Sequence, residues 1–227
     1  MRRNSLLYQG IFVSLQGEGP KAGTPSVFLR LAGCNLGCVY CDSRKAWDEA
    51  YENQWRESSV ATVAERLLEV KGRASNLVIT GGEPLLQQRE VENLIRLVQR
   101  KFLTIEVETN GTILPGAIAR VPNVFFNVSP KLSNSGVERE RRINERVLRF
   151  FAGHERAYFK FVVSNRAEAE EARDLVRELG IDPRRVYLMP LASNRTQLER
   201  VAPVVARLAG RLGFAYSDRL QLRVNLP

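Results

Sequence analysis

From Val60 onward, short apolar runs of strand length alternate with longer stretches whose apolar residues recur every three or four positions. Residues 77–80, 103–108, 124–128, 158–163 and 186–189 are the strand-like runs, and 26–33 is an earlier one. Val60, Val63, Ala64, Leu67 and Leu68 mark the first helical stripe, and Val91, Leu94, Ile95, Val98 and Phe102 the next. A helix is predicted over 141–151. Two more carry Ala172, Leu175, Val176 and Leu179, then Leu198, Val201, Val205 and Leu208. Strands alternating with helices demand right-handed βαβ units and a parallel sheet. Six strands are too few for a closed eight-stranded barrel. The expected fold is therefore α/β, an incomplete, about six-stranded TIM-like parallel barrel. No linker or repeat interrupts the 227 residues, so one domain over 1–227 is expected, with 220–224 adding an edge strand.

Ligands of parallel α/β sheets bind at the carboxyl ends of the strands. The turn-like motifs fall there: a cysteine loop after 26–33, then Gly81-Gly82-Glu83-Pro84, Glu108-Thr109-Asn110-Gly111 and Ser129-Pro130-Lys131. Each alone is an ordinary strand-ending turn. Together on one rim they outline an active site.

All three cysteines of the chain lie within Cys34-Asn-Leu-Gly-Cys38-Val-Tyr-Cys41. Disulfide pairing would leave one thiol over, and clustered cysteines in a reducing compartment more often bind metal. Three thiolates can hold three corners of a cubic iron–sulfur cluster, leaving one iron open to a small molecule. The alternative is a zinc site completed by His154, the only histidine, although nothing near it has ligand spacing. Arg30, inside an apolar run just before the loop, must be paired or face a cavity. There it suits a bidentate grip on a carboxylate, with a structural salt bridge as the competing reading. Ahead of it, a strand ends near Leu15. Gln16-Gly17-Glu18-Gly19 then makes a turn that presents Gln16 and Glu18 as exposed polar groups, able to grip a heterocycle or merely to tip a hairpin. The Ser43 hydroxyl suits a hard cation such as Mg2+; Asp42 could serve likewise or cap a turn.

The net charge of +9 raises a nucleic-acid reading. However, the densest basic group (Arg139, Arg141, Arg142, Arg146, Arg149) is interleaved with Glu138, Glu140 and Glu145 and reads as a solvated helical face. No apolar run is long enough to span a membrane, and the N-terminus does not read as a secretory signal. A cytoplasmic location is expected, with no nucleic-acid or membrane partner.

The Cys-x3-Cys-x2-Cys pattern, with Tyr40 before the last cysteine, resembles the signature of radical S-adenosylmethionine enzymes. With Gln16-Gly17-Glu18-Gly19, Arg30, the Gly-Gly-Glu-Pro turn, Ser129-Pro130-Lys131 and the final Pro227, the chain resembles the 7-carboxy-7-deazaguanine synthase family over most of its length. That resemblance implies conversion of 6-carboxy-5,6,7,8-tetrahydropterin to 7-carboxy-7-deazaguanine, with loss of ammonia, in queuosine and deazapurine biosynthesis. It implies hydrogen abstraction at C6 of the pterin and catalytic use of S-adenosylmethionine. It further implies a [4Fe–4S] cluster on Cys34, Cys38 and Cys41, and cofactor contacts at Tyr40, Asp42, Gly82, Ser129, Pro130, Lys131, Met189 and Pro190. Leu15, Gln16, Gly17, Glu18, Arg30, Thr80 and Pro227 would hold the substrate, with Pro227 on a tail that closes the site. Ser43 would bind Mg2+, a homodimer would form, and a reducing donor such as flavodoxin would supply electrons. Two rivals remain at this point: a glycyl-radical-enzyme activase, and a zinc-stabilised RNA-binding module.

Overall fold

A computed structural model describes residues 4–226 of the chain. Three strands open it: β1 (Ser5–Leu15), β2 (Pro25–Leu31) and β3 (Arg56–Ser59). The alternating part follows as α1 (Val60–Val70), β4 (Asn76–Gly81), α2 (Gln88–Val98), β5 (Thr104–Thr109) and β6 (Val124–Val128). Then come α3 (Arg139–Arg142), α4 (Glu145–Ala152), β7 (Ala157–Val163), α5 (Arg166–Leu179) and β8 (Val186–Pro190). The chain ends with α6 (Arg195–Leu212), β9 (Ala215–Tyr216) and α7 (Leu220–Arg223). The strands form one sheet in the order β3-β1-β2-β4-β5-β6-β7-β8-β9. β1 pairs antiparallel with β2 and β3, and every pairing from β2 to β9 is parallel. The sheet does not close, and six long parallel strands carry it, as the sequence pattern requires.

Strand side chains alternate between faces, and this alternation divides the molecule. Leu29, Ile79, Val107, Phe126, Phe161 and Leu188 point to the helix-covered face and are fully buried. Their neighbours Arg30, Thr80, Glu108, Asn127, Lys160 and Met189 point to the other face and line a cavity. Register keeps these polar residues level: Arg30 lies opposite Thr80, and Glu108 opposite Asn127. The helices reach the apolar face through α1 (Val63, Leu67), α2 (Leu94, Ile95), α4 (Leu148, Phe151) and α5 (Ala172, Val176). Their starts are fixed by side-chain caps. Ser59 accepts from Thr62 N at 3.1 Å, Asn165 from Glu168 N at 3.1 Å and Asn194 from Gln197 N at 2.9 Å.

Three expectations need correction. The helix predicted over 141–151 is broken in two, because Asn144 caps α4 by accepting from Val147 N at 3.4 Å. The arginines there are not all solvated. Arg142 is buried, donating to Lys131 O at 2.7 Å and Val137 O at 3.1 Å and pairing with Glu171. The tail at 220–224 is not an edge strand but the single turn α7; the sheet instead ends on β9. The reason is tertiary: Leu220 N donates to Gly17 O at 3.0 Å, which ties the turn to the segment after β1.

Phe126 is fully buried and packs on Phe151 at a 5.1 Å ring separation. Phe126→Ala is expected to destabilise the fold by roughly 3–5 kcal/mol, read as a lower urea midpoint at unchanged m-value.

Candidate active site

The cysteine loop leaves β2 and is locked to the turn after β4. Gly82 N donates to Leu31 O at 3.1 Å and Glu83 N to Gly33 O at 2.8 Å. A Cβ on Gly82 would stand 2.0 Å from Gly33 O, and one on Gly81, at φ +139, would stand 2.1 Å from Leu31 O. Two glycines are required there because the two backbones touch. Glu83 stitches the next turn in: its carboxylate accepts from Leu85 N (2.9 Å), Asn110 N (2.7 Å) and Thr109 Oγ1 (2.9 Å). Burial nevertheless pushes its pKa up. An amide clasp completes the frame. Asn110 Nδ2 donates to Asn35 Oδ1 at 2.9 Å, and Asn35 Nδ2 to Thr112 Oγ1 at 2.8 Å.

Cys34, Cys38 and Cys41 are all free thiols and all line the cavity. Burial pushes the Cys34 thiol up to about 11 and raises that of Cys38. Metal binding is what would deprotonate them. Among the described residues no three His, Cys, Asp or Glu side chains are placed to hold a single metal ion. His154 is engaged elsewhere, its Nε2 3.1 Å from Ala119 O and its ring edge-on to Phe126. Three free thiols on one loop, facing the cavity and without a fourth protein ligand among the described residues, fit a cluster with one open corner better than zinc.

Tyr40, Asp42, Ser43, Gly82, Ser129, Lys131 and Met189 line the same cavity, as do Leu15, Gln16, Gly17, Glu18, Arg30 and Thr80. Pro130 and Pro190 are buried beside it and do not line it. Pro227 lies outside the described residues. Among the described residues Arg30 has no carboxylate in salt-bridge contact; it faces the cavity, its Nη1 donating to Ser43 Oγ at 2.7 Å, and Ser43 Oγ donates to Asp42 Oδ1 at 3.1 Å.

Gln16 and Glu18 are not exposed, contrary to expectation. Gln16 is 2% exposed, its Nε2 directed at Glu106 (3.4 Å) and Glu108 (3.3 Å) and its Oε1 accepting from Glu18 N. Glu18 is gripped by Lys160 and Arg219, and Gln221 donates to it at 2.7 Å. Burial opposes the Glu18 charge, but the two cations outweigh it and hold its pKa at about 2. Burial likewise opposes the Lys160 charge, and Glu18 and Glu108 overcome it and raise that pKa. Arg219 also binds Asp42 and Ala192 O, so the tail, the turn after β1 and the cysteine loop meet in one side chain.

Asn127, Lys160, Arg219, Gln221 and Trp47 line the cavity too, and the sequence reading does not single them out; Glu108, which it places on the rim without a role, joins them. The signal for the strand residues was present. The argument that picked Arg30 out of its apolar run applies equally to Glu108, Asn127 and Lys160. Arg219 and Gln221, in a tail of ordinary composition, carried none.

This arrangement, a partial barrel with a three-cysteine loop at its carboxyl rim, defines the radical SAM superfamily, whose family model matches residues 29–201. The chain is 38% identical over 212 residues to a 7-carboxy-7-deazaguanine synthase of Pyrobaculum aerophilum, covering 93% of this chain and 91% of that one. It is 37% identical to one of Hyperthermus butylicus, covering 96% and 92%. The crystal structure of QueE from Escherichia coli superposes with a TM-score of 0.73 at 27% identity, covering 96% of this chain and 95% of that one. The chain belongs to the 7-carboxy-7-deazaguanine synthase family.

A carboxylate whose folded pKa is depressed contributes stability above its unfolded value, and that contribution disappears as pH falls through the folded value. Glu18→Gln is therefore expected to destabilise the protein at pH 7. The difference from wild type should shrink as pH drops from about 4.5 toward 2, measured by urea unfolding across that range. A difference constant from pH 7 to pH 3 would contradict the assigned ion pairing.

Proposed function

We propose that the protein converts 6-carboxy-5,6,7,8-tetrahydropterin to 7-carboxy-7-deazaguanine with loss of ammonia, in queuosine or deazapurine biosynthesis. The observation that carries the reading is the cavity itself: three free thiols on one wall and a floor of fixed donors and acceptors on the other. Cys34, Cys38 and Cys41 would hold a [4Fe–4S] cluster. Tyr40, Asp42, Gly82, Ser129, Pro130, Lys131, Met189 and Pro190 would surround S-adenosylmethionine, the two buried prolines acting through the strand ends they shape. When bound, the cluster and S-adenosylmethionine supply the hydrogen-abstracting radical chemistry; the protein supplies position and exclusion of water.

Position is supported by the floor. Glu18, held ionised by Lys160 and Arg219, is a fixed acceptor for ring N–H groups, and the Gln16 amide offers a donor and an acceptor. Glu108, which accepts from Thr80 Oγ1 at 2.7 Å, sets a second acceptor beside it. These groups are ordered before substrate arrives, so little reorganisation accompanies binding. Arg30 would take the substrate carboxylate. Ser43 is the proposed Mg2+ ligand, and the Arg30 guanidinium on its hydroxyl opposes a bare cation there. Asp42, whose Oδ1 accepts from the same hydroxyl at 3.1 Å, offsets part of that charge, and the carboxylate that Arg30 recruits would add to it. Leu15 and Gly17 would complete the substrate wall and Pro227 would close it.

Among the described residues no helix is long and apolar enough to cross a membrane, which is compatible with the proposed cytoplasmic location. A homodimer and a flavodoxin-like electron donor complete the proposal.

Anaerobic turnover of reconstituted protein with reductant, S-adenosylmethionine, Mg2+ and 6-carboxytetrahydropterin is expected to give 7-carboxy-7-deazaguanine by mass spectrometry, and Cys38→Ala to give none. Formation of 5′-deoxyadenosine without product would discard the substrate. Arg30→Met should lower kcat/KM by roughly 10–100-fold, the loss of a charge-assisted hydrogen bond of about 1.5–3 kcal/mol.

A further inference from the structure

Trp47 follows the short turn Arg44–Ala46 just beyond the cysteine loop. Its indole Nε1–H donates to Cys41 Sγ at 3.1 Å. We infer that Trp47 is a positioning residue for the metal-binding loop, whose indole N–H sets the charge on the Cys41 sulfur and raises the reduction potential of the cluster held there. This rests on the reading of Cys34, Cys38 and Cys41 as cluster ligands.

The indole is held where this role needs it. Ala46, the residue before it, is fully buried, and Ala46 O accepts from Gly33 N at 2.7 Å, tying the turn to the start of the cysteine loop. Trp47 N donates to Arg44 O at 3.1 Å. The six-membered ring lies over Gly37, with Cζ3 and Cη2 each 3.8 Å from where a Cβ would stand. The ring therefore packs on the loop while its only polar atom meets a ligand sulfur. An indole N–H donates and cannot accept or ligate. Toward a thiolate it can only withdraw negative charge, which favours the more negative, reduced state of a cluster. Among the described residues Cys34 Sγ has a longer, backbone donor, Leu36 N at 3.4 Å. The sulfurs are thus inequivalent, and among the described residues Cys41 has the side-chain donor.

A purely structural Trp47 would be an apolar plug, and the two roles separate on the potential. Trp47→Phe keeps a ring and removes the N–H. Wild type and variant, reconstituted anaerobically to matched iron and sulfide content, are compared by potentiometric titration followed by electron paramagnetic resonance. The expected result is a midpoint shifted to more negative potential in Trp47→Phe; equal midpoints would overturn the assignment. The chain has two tryptophans, so in a Trp55→Phe background Trp47 is the sole indole. Replacing it there with 5-fluorotryptophan, a stronger N–H donor of nearly the same shape, should move the midpoint positive relative to that background. If Trp47→Phe fails to assemble a cluster, this second pair decides, and an unmoved midpoint overturns the inference. A wild type that binds no cluster would overturn the reading of the loop as well.

Discussion

Charged and amide side chains on the inner face of a parallel sheet are expensive to bury unless each finds a partner. This protein places them on successive strands: Arg30, Thr80, Glu108, Asn127 and Lys160. Much of the remaining site is arranged around satisfying them. Lys160 meets Glu18, Glu108 meets Thr80 and Gln16, and Asn127 donates to Glu106 at 2.5 Å. Below them, among the described residues, Glu106 accepts from side-chain amides, those of Asn76 at 2.6 Å, Asn127 and Gln16. Burial raises its pKa against those donors. The apolar face of the same strands supplies the packing that offsets this cost.

The rim has its own economy of contact. The cysteine loop does not stand free above the sheet. It is fastened to the turn after β4 by backbone contact at Gly82, to the turn after β5 through Asn35 and Asn110, and to the segment after β6 through Val39 N and Ser135 O at 3.0 Å. A loop fixed at three strand ends keeps its thiols in one arrangement, which a preorganised cofactor site requires. The C-terminal turn adds a fourth fastening through Arg219, which reaches both Glu18 and Asp42. Substrate floor and cysteine loop are thereby joined by one guanidinium.

Much of this was legible beforehand. The strand and helix periods placed β4 to β8 and the major helices within a few residues, because burial of alternate or every-third-or-fourth side chains leaves a pattern in composition. The cysteine spacing and the rim turns were equally plain, being local in sequence. The failures share a cause. Gln16 and Glu18 read as exposed because polar residues on a glycine turn normally are; Glu18 is instead held by Lys160 and Arg219, 142 and 201 positions away, and Gln16 by Glu106 and Glu108, 90 and 92 positions away. The break at Asn144 and the helical turn at Leu220–Arg223 likewise depend on partners that no local window contains.

The sequence by itself determined the βα order, the parallel part of the open sheet and the three-thiol loop, since each rests on local periodicity or spacing, and its motifs carried the family resemblance. Only the tertiary structure decided which polar residues share a cavity and in what charge state. Lys160 and Glu18 become a fixed ion pair because β7 and the turn after β1 are brought together at the same end of the sheet. Trp47 meets Cys41, rather than merely following it, because Gly33 and Ala46 close the loop between them. Contacts of this kind depend on distance in space, and separation along the chain does not encode it.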